Sequence, residues 1–318
     1  MRRRFIQIAL GLICAAFFFW LAFSRTKPGE VIQVLAAANP WWIALAMLVY
    51  AGNLLLRSWR WSIILRQVQY VPLRQVVVAL LVGYGVNNII PARLGELFRA
   101  EYFKQRYGLS RVWALSSIII ERLLDGIVVT SCLGIGLLLS GATTEQRQVF
   151  VGVLLMAGAL FGALLLAALI LGGSSLYRRF ERWPKIRDRT EMVTRGLDIL
   201  RGKRFPVVIG ATILVYVPDT LSIWLIVKSV GVTLGFADTL VLVGIASLST
   251  LLPSGPGFLG TLQLAYALTM ALVGASPTLG IAAATLAQLC LFLPVALIAA
   301  FIVIFRSGMP VRTRLSQL

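Results

Sequence analysis

The chain has 318 residues, of which 59% are hydrophobic and 13% are charged, and its formal net charge is +18. Soluble domains carry about 25% charged residues, and the mean hydropathy here is +0.88. The composition therefore excludes a soluble protein and predicts an all-α polytopic protein integral to the cell (inner) membrane. We interpret the positive charge as a topological signal, because Lys and Arg hold loops in the cytoplasm. Nucleic acid is not an expected partner.

The residue types present do not predict a metal site, a cofactor or catalytic residues. The sequence has no histidine, which is the commonest metal ligand and proton shuttle. Cys14, Cys132 and Cys290 lie in separate apolar runs, so no disulfide or redox motif is indicated. We also find no nucleophile–base motif, and we expect that the protein is not an enzyme.

Residues 1–140 are predicted to form the first of two repeats. Three arginines near the start place the N-terminus in the cytoplasm and precede an apolar run at 5–24. We expect this run to be a retained span, although a signal peptide begins in the same way. A second span at 40–56 returns to a loop that contains Arg57 and Arg60, and this loop is predicted to be cytoplasmic.

The segment 74–106 is predicted to be a re-entrant hairpin. If its apolar part crossed the membrane completely, the basic residues from Arg93 to Arg111 would lie outside the cell. A hairpin that enters from the cytoplasm and turns near Pro91 removes this conflict. The span at 112–139 then completes the first repeat.

The second half of the chain is predicted to contain a matching hairpin. Residues 141–172 provide a span, and 173–205 form a cytoplasmic loop with ten Lys or Arg residues. Residues 206–318 begin and end with spans, and the hairpin at 237–275 lies between them. Because the basic tail places the C-terminus inside, this hairpin enters from the opposite face.

The two hairpin tips are predicted to be equivalent positions of an inverted repeat. Ile89-Ile90-Pro91 aligns with Leu251-Leu252-Pro253 at an offset of 162 residues, which is about half the chain. The expected architecture is one integral membrane domain over 1–318, with about six spans and two oppositely oriented re-entrant hairpins. Inverted repeats with broken helices near the midplane are a recurrent plan of transporters.

The predicted substrate site combines the charged end of the first hairpin, the span after it and the second hairpin tip. Ionisable side chains at membrane depth cost about 2.5 to 3.5 kcal/mol each and usually face a polar cavity or a partner. Arginine suits a phosphate because its planar fork donates two hydrogen bonds. The predicted substrate-binding residues are Asn87, Arg93, Glu96, Arg99, Glu121, Arg122, Asp125, Ser254, Gly255 and Gly257.

Two interpretations of the charged residues stay open. They form either a buried ion-pair network that fixes the hairpin to the following span, or a substrate site in which Glu121 and Asp125 balance charge or carry a proton. Asp219, an acid within an apolar run, is either a cation or proton site or the partner of an arginine. Trp59 and Trp61 are interpreted as part of an interfacial aromatic belt.

At these residues the chain resembles the flippase-like membrane domain of the lysylphosphatidylglycerol synthase family, including its stand-alone members. The resemblance covers nearly the whole chain and implies an integral membrane protein that moves or handles lipids with a charged or phosphate-linked headgroup. The soluble aminoacyl-transfer domain of the best-known members is expected to be absent. The motifs that carry the resemblance are Asn87-x-x-x-Pro91-x-Arg93-x-Gly95-Glu96-x-x-Arg99, Glu121-Arg122-x-x-Asp125 and Pro253-Ser254-Gly255-Pro256-Gly257-x-x-Gly260.

The favoured hypothesis is lipid translocation through a polar cavity between the two hairpins. Arg93 and Arg99 would bind the headgroup of an anionic or polyprenyl-phosphate-linked lipid, while its tails stay in the bilayer. The alternatives are a membrane enzyme of lipid-linked intermediates and a non-transporting scaffold for a separate synthase. A partner synthase or a homo-oligomer is compatible with each of these hypotheses.

Overall fold

A computed structural model gives the chain as a bundle of α-helices, and no strand occurs in the part that it describes. The structure describes residues 16–21, 23, 26–66, 69–89, 95–140, 144–171, 187, 190–191, 193–194, 197–252 and 254–306. The helices are α1 (Pro28–Ala36), α2 (Pro40–Leu65), α3 (Leu73–Ile89), α4 (Gly95–Tyr107), α5 (Arg111–Leu139), α6 (Thr144–Leu171), α7 (Phe205–Ser229), α8 (Phe236–Ser249), α9 (Thr261–Leu272), α10 (Pro277–Ala287) and α11 (Leu293–Arg306).

Five of the described helical stretches are long and apolar enough to cross a membrane. They are α2, α5, most of α6, α7, and the continuous rod formed by α10 and α11. Within that rod, Gln288–Phe292 form a π-helical segment. Large apolar side chains on α6 and α11 point away from the bundle, as expected for surfaces in contact with lipid. The prediction of an all-α polytopic membrane protein is confirmed.

Two pairs of shorter helices occupy the positions of the predicted hairpins. We name α3 with α4 the first helix pair, and α8 with α9 the second helix pair; in each pair the two helices pack side by side. The tip of the first pair, 90–94, lies outside the described residues. At the tip of the second pair, Gly257 and Gly260 have φ angles of 63° and 86°, which end the helix there. Re-entry of each pair from one face of the bilayer stays a prediction.

The helices of the two halves recur in the same order and at a nearly constant interval. Helix α7 begins 165 residues after α2 begins, at Phe205 and Pro40. The second helix pair begins 163 residues after the first, at Phe236 and Leu73. Helix α2 packs on α7, and each helix pair packs on the long helix that follows the other pair, α3 on α11 and α8 on α5. The packing is therefore reciprocal between the halves.

Glycines make both reciprocal crossings close. A Cβ added to Gly85 of α3 would lie 2.1 Å from the Cβ of Ala299 on α11, and one added to Gly244 of α8 would lie 2.7 Å from the Cβ of Leu133 on α5. Small residues let helix backbones approach in membranes, where packing rather than hydrophobicity drives association. The two halves thus interlock through the same device.

Helix α2 differs from its prediction. It begins at Pro40, where the Asn39 side chain accepts a hydrogen bond from the backbone N–H of Trp41, and it continues to Leu65. Arg57 and Arg60 therefore lie in the helix and are buried, not in a cytoplasmic loop. The loop assignment was wrong because an arginine after an apolar run usually ends a span, whereas here each arginine meets an acid on another helix.

Parts of the prediction lie outside the described residues. These include most of the N-terminal run at 5–24, much of the basic segment at 173–205 and the tail after Arg306. The segment predicted as the first outer loop contains the short helix α1. The division of the chain into two repeats at residue 140 stays a prediction.

Candidate functional site

A central cavity of about 280 Å³ lies between the two helix pairs and the long helices. Both halves of the chain contribute to its wall, with α2, α3, α4 and α5 from the first half and α7, α8, α9 and the π-helical segment from the second. The wall is mixed in character, because apolar side chains alternate with polar ones. The charged, aromatic and amide side chains that line it are Arg57, Glu96, Arg122, Asp125, Asp219, Tyr50, Tyr84, Tyr216, Tyr266, Asn87 and Asn88.

Behind the cavity wall, Arg60 is the centre of a buried ion-pair network. Its Nη2 lies 3.0 Å from Glu121 Oε1 and 3.3 Å from Asp125 Oδ2, and its Nη1 donates to Asp125 Oδ1. The Arg60 and Glu121 side chains are fully buried. Because Glu121 and Asp125 are four residues apart on α5, one guanidinium reaches both carboxylates. This arrangement joins α2 to α5.

Arg99 of α4 belongs to the same network. Its Nη2 lies 2.9 Å from Glu121 Oε2, and its guanidinium lies 3.8 Å from the ring centroid of Trp61. The Arg99 side chain is 1% exposed and does not line the cavity. A Cβ on Gly83 would lie 2.3 Å from the Arg99 Cγ, so the glycine makes room for the arginine stem. Arg99 thus fixes the first helix pair to α2 and α5.

A second ion pair faces the cavity. The Arg57 Nη2 of α2 lies 3.2 Å from the Asp219 Oδ2 of α7, and the other Asp219 oxygen accepts a 2.6 Å hydrogen bond from Asn53 Nδ2. The Arg57 guanidinium also lies 5.6 Å from the ring centroid of Tyr216. This pair joins the two long helices that pack on each other at the centre of the bundle.

The first helix pair contributes further polar groups to the cavity. Glu96 at the start of α4 lies 3.1 Å from Arg122 Nε, and both side chains are partly exposed. The Asn87 Oδ1 accepts a 2.8 Å hydrogen bond from the backbone N–H of Gly95, which holds the two arms together. Asn88 Nδ2 donates to the backbone carbonyl of Phe292, 2.9 Å away. The first pair is thereby attached to the π-helical segment.

The tip of the second helix pair is attached to the same π-helical segment. Gln288 Nε2 donates to the Gly257 carbonyl at 2.8 Å, and Gln288 Oε1 accepts from Gln263 Nε2 at 2.6 Å. Gln263 Oε1 accepts in turn from the backbone N–H of Gly260. A π-helical turn leaves irregular backbone that other groups can bind, and such turns are frequent at functional sites. Both helix pairs therefore meet at one irregular turn beside the cavity.

Comparison with known proteins places this architecture in a family. The sequence model described as the lysylphosphatidylglycerol synthase TM region matches residues 6–299. The chain belongs to this family. The predicted resemblance is confirmed, and the match extends over both helix pairs and the cavity between them.

Several archaeal proteins are similar to this family member. A UPF0104 membrane protein of Methanothermobacter thermautotrophicus is 25% identical, with 83% of this chain and 82% of that protein covered. The protein named glycosyltransferase AglD of Haloferax volcanii is 24% identical over 89% of this chain, which spans 52% of that protein's length. UPF0104 membrane protein MJ1595 of Methanocaldococcus jannaschii is 30% identical over 36% of this chain. These relatives support a lipid-related role in a membrane.

The structure brings part of the predicted site to the cavity of this family member. Asn87, Glu96, Arg122, Asp125 and Asp219 line it. The other predicted residues lie elsewhere: Arg99 and Glu121 are in the buried network, Ser254 and Gly255 are buried away from the cavity, Gly257 binds Gln288, and Arg93 lies outside the described residues. Contact of any of them with a substrate stays a prediction.

Sequence reasoning missed the arginines that complete these pairs. Asn53, Arg57 and Arg60 follow one another at spacings of four and three, so they share one face of a helix. That spacing was the available signal, together with three acids in apolar runs that needed cations. Asp219 has an arginine partner, which is one of the two alternatives left open for it.

An exposed ion pair outside the cavity provides a contrast. Glu101 of α4 pairs with Arg111 at the start of α5, and their side chains are 35% and 53% exposed. Hydrogen bonds from Arg111 and Gln105 lower the pKa of Glu101 from 4.5 to about 2. The charges at the cavity, in contrast, are withdrawn from water. The cavity can therefore offer cationic and anionic groups to a polar ligand within a bundle whose outer surface is apolar.

Proposed function

We propose that the protein translocates membrane lipids by passing a phosphate-linked headgroup through the central cavity while the lipid tails stay in the bilayer. The observation that carries this proposal is the position of the cavity. It lies between the two helix pairs, inside membrane-length helices, and five ionisable side chains line it. Ionisable groups at such depth typically mark substrate or ion pathways.

The size of the cavity supports a headgroup as its occupant. One water molecule takes about 30 Å³ of liquid volume, so a cavity of about 280 Å³ corresponds to roughly nine small heavy atoms or waters. A phosphate with a short polar substituent is of this size. Two acyl chains are several times larger, and they would have to remain outside. Leu251, beside the cavity and 45% exposed, is an apolar edge that such tails can contact.

The proposal includes an inverted repeat with two re-entrant helix pairs. Broken helices at membrane depth are tolerated where their free backbone groups are buried in protein or line a wet cavity. The second tip meets this condition through Gln263 and Gln288. Reciprocal packing of the halves supports rocking of one half against the other, which would open the cavity to each face in turn.

The orientation of the helix pairs can be tested with single cysteines. In a background without Cys14, Cys132 and Cys290, cysteines replacing the exposed Tyr70 and Gln105 flank the first pair, and those replacing Thr233 and Ser276 flank the second. An impermeant maleimide should label the first two from the cytoplasm and the last two from outside. Labelling of Tyr70→Cys and Gln105→Cys from opposite faces would show a full crossing and contradict re-entry.

We propose a transporter rather than an enzyme. The carboxylates at the cavity, Glu96, Asp125 and Asp219, each have an arginine within ion-pair distance. An arginine partner favours the ionised form of a carboxylate and weakens it as a general acid. We further propose that the protein lies in the cytoplasmic membrane with both termini in the cytoplasm.

Lipid transport is tested by reconstitution into liposomes with phospholipids that carry a fluorophore on one acyl chain. Dithionite bleaches only the outer leaflet, so movement of lipid from the inner leaflet appears as bleaching beyond one half. We expect the wild type to exceed protein-free liposomes and Arg57→Gln to reduce the rate at least tenfold. Arg111→Gln is the matched control, because its exposed pair lies outside the cavity. Equal rates for Arg57→Gln and the wild type would refute a role for the cavity.

A further inference from the structure

We propose that the headgroup carried by the cavity is zwitterionic, with a phosphate and an ammonium group, as in an ethanolamine or choline phospholipid. The inference rests on the proposed transport function and adds the charge of the substrate. During transport the phosphate would bind Arg57 and the ammonium would bind Asp219. These two residues would thus exchange each other for the two charges of one headgroup.

The balance of charge in and around the cavity favours such a headgroup. Four arginines and four carboxylates of the described residues form one set of ion pairs, so their formal charges cancel. A purely anionic headgroup would add an uncompensated charge to this set. A zwitterion adds none, and removing charge from water without compensation is expensive. The eight residues are Arg57, Arg60, Arg99, Arg122, Glu96, Glu121, Asp125 and Asp219.

The cavity wall itself leans towards a cationic group. Two of its charged residues are arginines and three are carboxylates. Four tyrosines, Tyr50, Tyr84, Tyr216 and Tyr266, surround these charges. Aromatic rings attract cations, and cages of aromatic side chains are the usual recognition site of substituted ammonium groups. Sites for anions alone rarely need such rings.

The Tyr84 hydroxyl provides an independent sign of a missing ligand. Its oxygen is buried, and no hydrogen-bond partner for it occurs among the described residues. A buried hydroxyl without a partner costs free energy. A phosphate oxygen or an ammonium N–H in the cavity that Tyr84 lines would satisfy it.

The Arg57–Asp219 pair is built for exchange. Its Nη2 and Oδ2 atoms are 3.2 Å apart, a single contact, whereas Arg60 holds Asp125 with two nitrogens. Both residues reach the cavity, so a headgroup can approach both at once. Because planar guanidinium groups bind phosphate oxygens in pairs, Arg57 loses no hydrogen bonds when a phosphate replaces Asp219. An ammonium group then compensates the released carboxylate.

Arg57 and Asp219 are also equivalent positions of the two halves. They are 162 residues apart, the same interval that separates Pro91 from Pro253. A pair that bridges α2 and α7 at equivalent positions lies where the two halves meet, and it is available when either half moves. The two charges can therefore serve a headgroup arriving from either leaflet.

The experiment compares lipids that differ only at the headgroup nitrogen. Wild-type protein is reconstituted with acyl-labelled phosphatidylethanolamine or with its N-acetyl derivative, in which the ammonium is replaced by a neutral amide. Acyl-labelled phosphatidylglycerol is the purely anionic comparison. We expect phosphatidylethanolamine to move about tenfold faster than the other two lipids, which corresponds to about 1.4 kcal/mol in the barrier. A label on the acyl chain is essential, because an amine-linked fluorophore removes the charge under test.

Two variants connect the preference to Asp219. Asp219→Asn should bring the ratio between the rates of phosphatidylethanolamine and its N-acetyl derivative close to one. Because Asp219→Asn leaves Arg57 without its partner and can impair folding, the second variant is the charge exchange Arg57→Asp with Asp219→Arg. This double variant keeps both charges, and it should retain a preference for phosphatidylethanolamine.

The outcomes separate the two proposals. If no lipid moves faster than in protein-free liposomes, the transport function itself is wrong, and the headgroup inference falls with it. If lipids move but phosphatidylglycerol or the N-acetyl lipid equals or exceeds phosphatidylethanolamine, transport stands and the zwitterionic substrate is refuted. A preference in the wild type that persists in folded Asp219→Asn would refute the role of Asp219. A preference that this variant loses supports the inference.

Discussion

Substituting Arg60 by methionine should destabilise the protein more than removing any exposed charge. Arg60 is the shared partner of Glu121 and Asp125, and it has no exposed surface. Methionine has a similar length and no charge, so the change removes the ion pairs and keeps most of the packing. The result therefore measures what the network contributes to folding.

The magnitude follows from the partners that remain. Glu121 keeps Arg99 at 2.9 Å, so it stays compensated. Asp125 keeps only Arg122, whose Nη1 is 3.7 Å away and whose side chain is 31% exposed. One carboxylate is thus left buried without a close cation, and breaking a buried pair in this way costs about 3 to 5 kcal/mol.

The double variant Arg60→Met, Asp125→Asn is the decisive companion. It removes one charge of each sign and leaves the Arg99–Glu121 and Arg122–Glu96 pairs intact. Replacing both members of a buried pair is often neutral. We therefore expect it to recover more than half of the stability that Arg60→Met loses.

The assay is equilibrium unfolding in mixed micelles, with increasing dodecyl sulfate in dodecyl maltoside, followed by circular dichroism and tryptophan fluorescence. Arg111→Met is the control; because its pair with Glu101 is exposed, its midpoint should match the wild type. Two results would refute the reasoning: Arg60→Met unfolding at the same midpoint as Arg111→Met, or the double variant being no more stable than the single one.

Two further substitutions test the packing around the cavity. Gly95→Ala should destabilise the first helix pair, since the added Cβ would lie 1.9 Å from the Gly83 carbonyl oxygen, whereas Gly52→Ala meets nothing within 4 Å and should be neutral in the same unfolding assay. Gln288→Leu should speed hydrogen exchange of the second tip several-fold, because it removes the hydrogen bond to the Gly257 carbonyl. Thr285→Val, which removes only a bond to its own helix, should leave that exchange unchanged, and equal exchange in both variants would refute the attachment.

The helices were predictable because apolar runs and basic loops are strong signals in a membrane protein. The five membrane-length helices and the two shorter pairs all begin within a few residues of apolar runs in the sequence. The cluster of Arg99, Glu121 and Asp125 was found for a related reason: charge within an apolar run requires a partner. Which partner each charge selects depends on helices far apart in the chain, and local patterns do not contain that information.

The arginines of α2 illustrate what the sequence could not reveal directly. Arg57 and Arg60 follow an apolar run, and the same residue type serves both as a cytoplasmic anchor and as a buried counter-ion. Only the acids on α5 and α7 distinguish the two roles. Trp61 was assigned to the interfacial belt for a similar reason. The structure buries it completely against Arg99, so that assignment was wrong.

The interval of 162 residues connects the two levels of description. From the sequence alone it rests on a few identities at the hairpin tips, which could arise by chance. In the structure the same interval relates Arg57 to Asp219, two residues of opposite charge that bind each other across α2 and α7. Equivalent positions of a repeat that contact each other must lie close to the axis that relates the halves. Since this pair also lines the cavity, the axis passes through the cavity, where a site shared by both halves is expected.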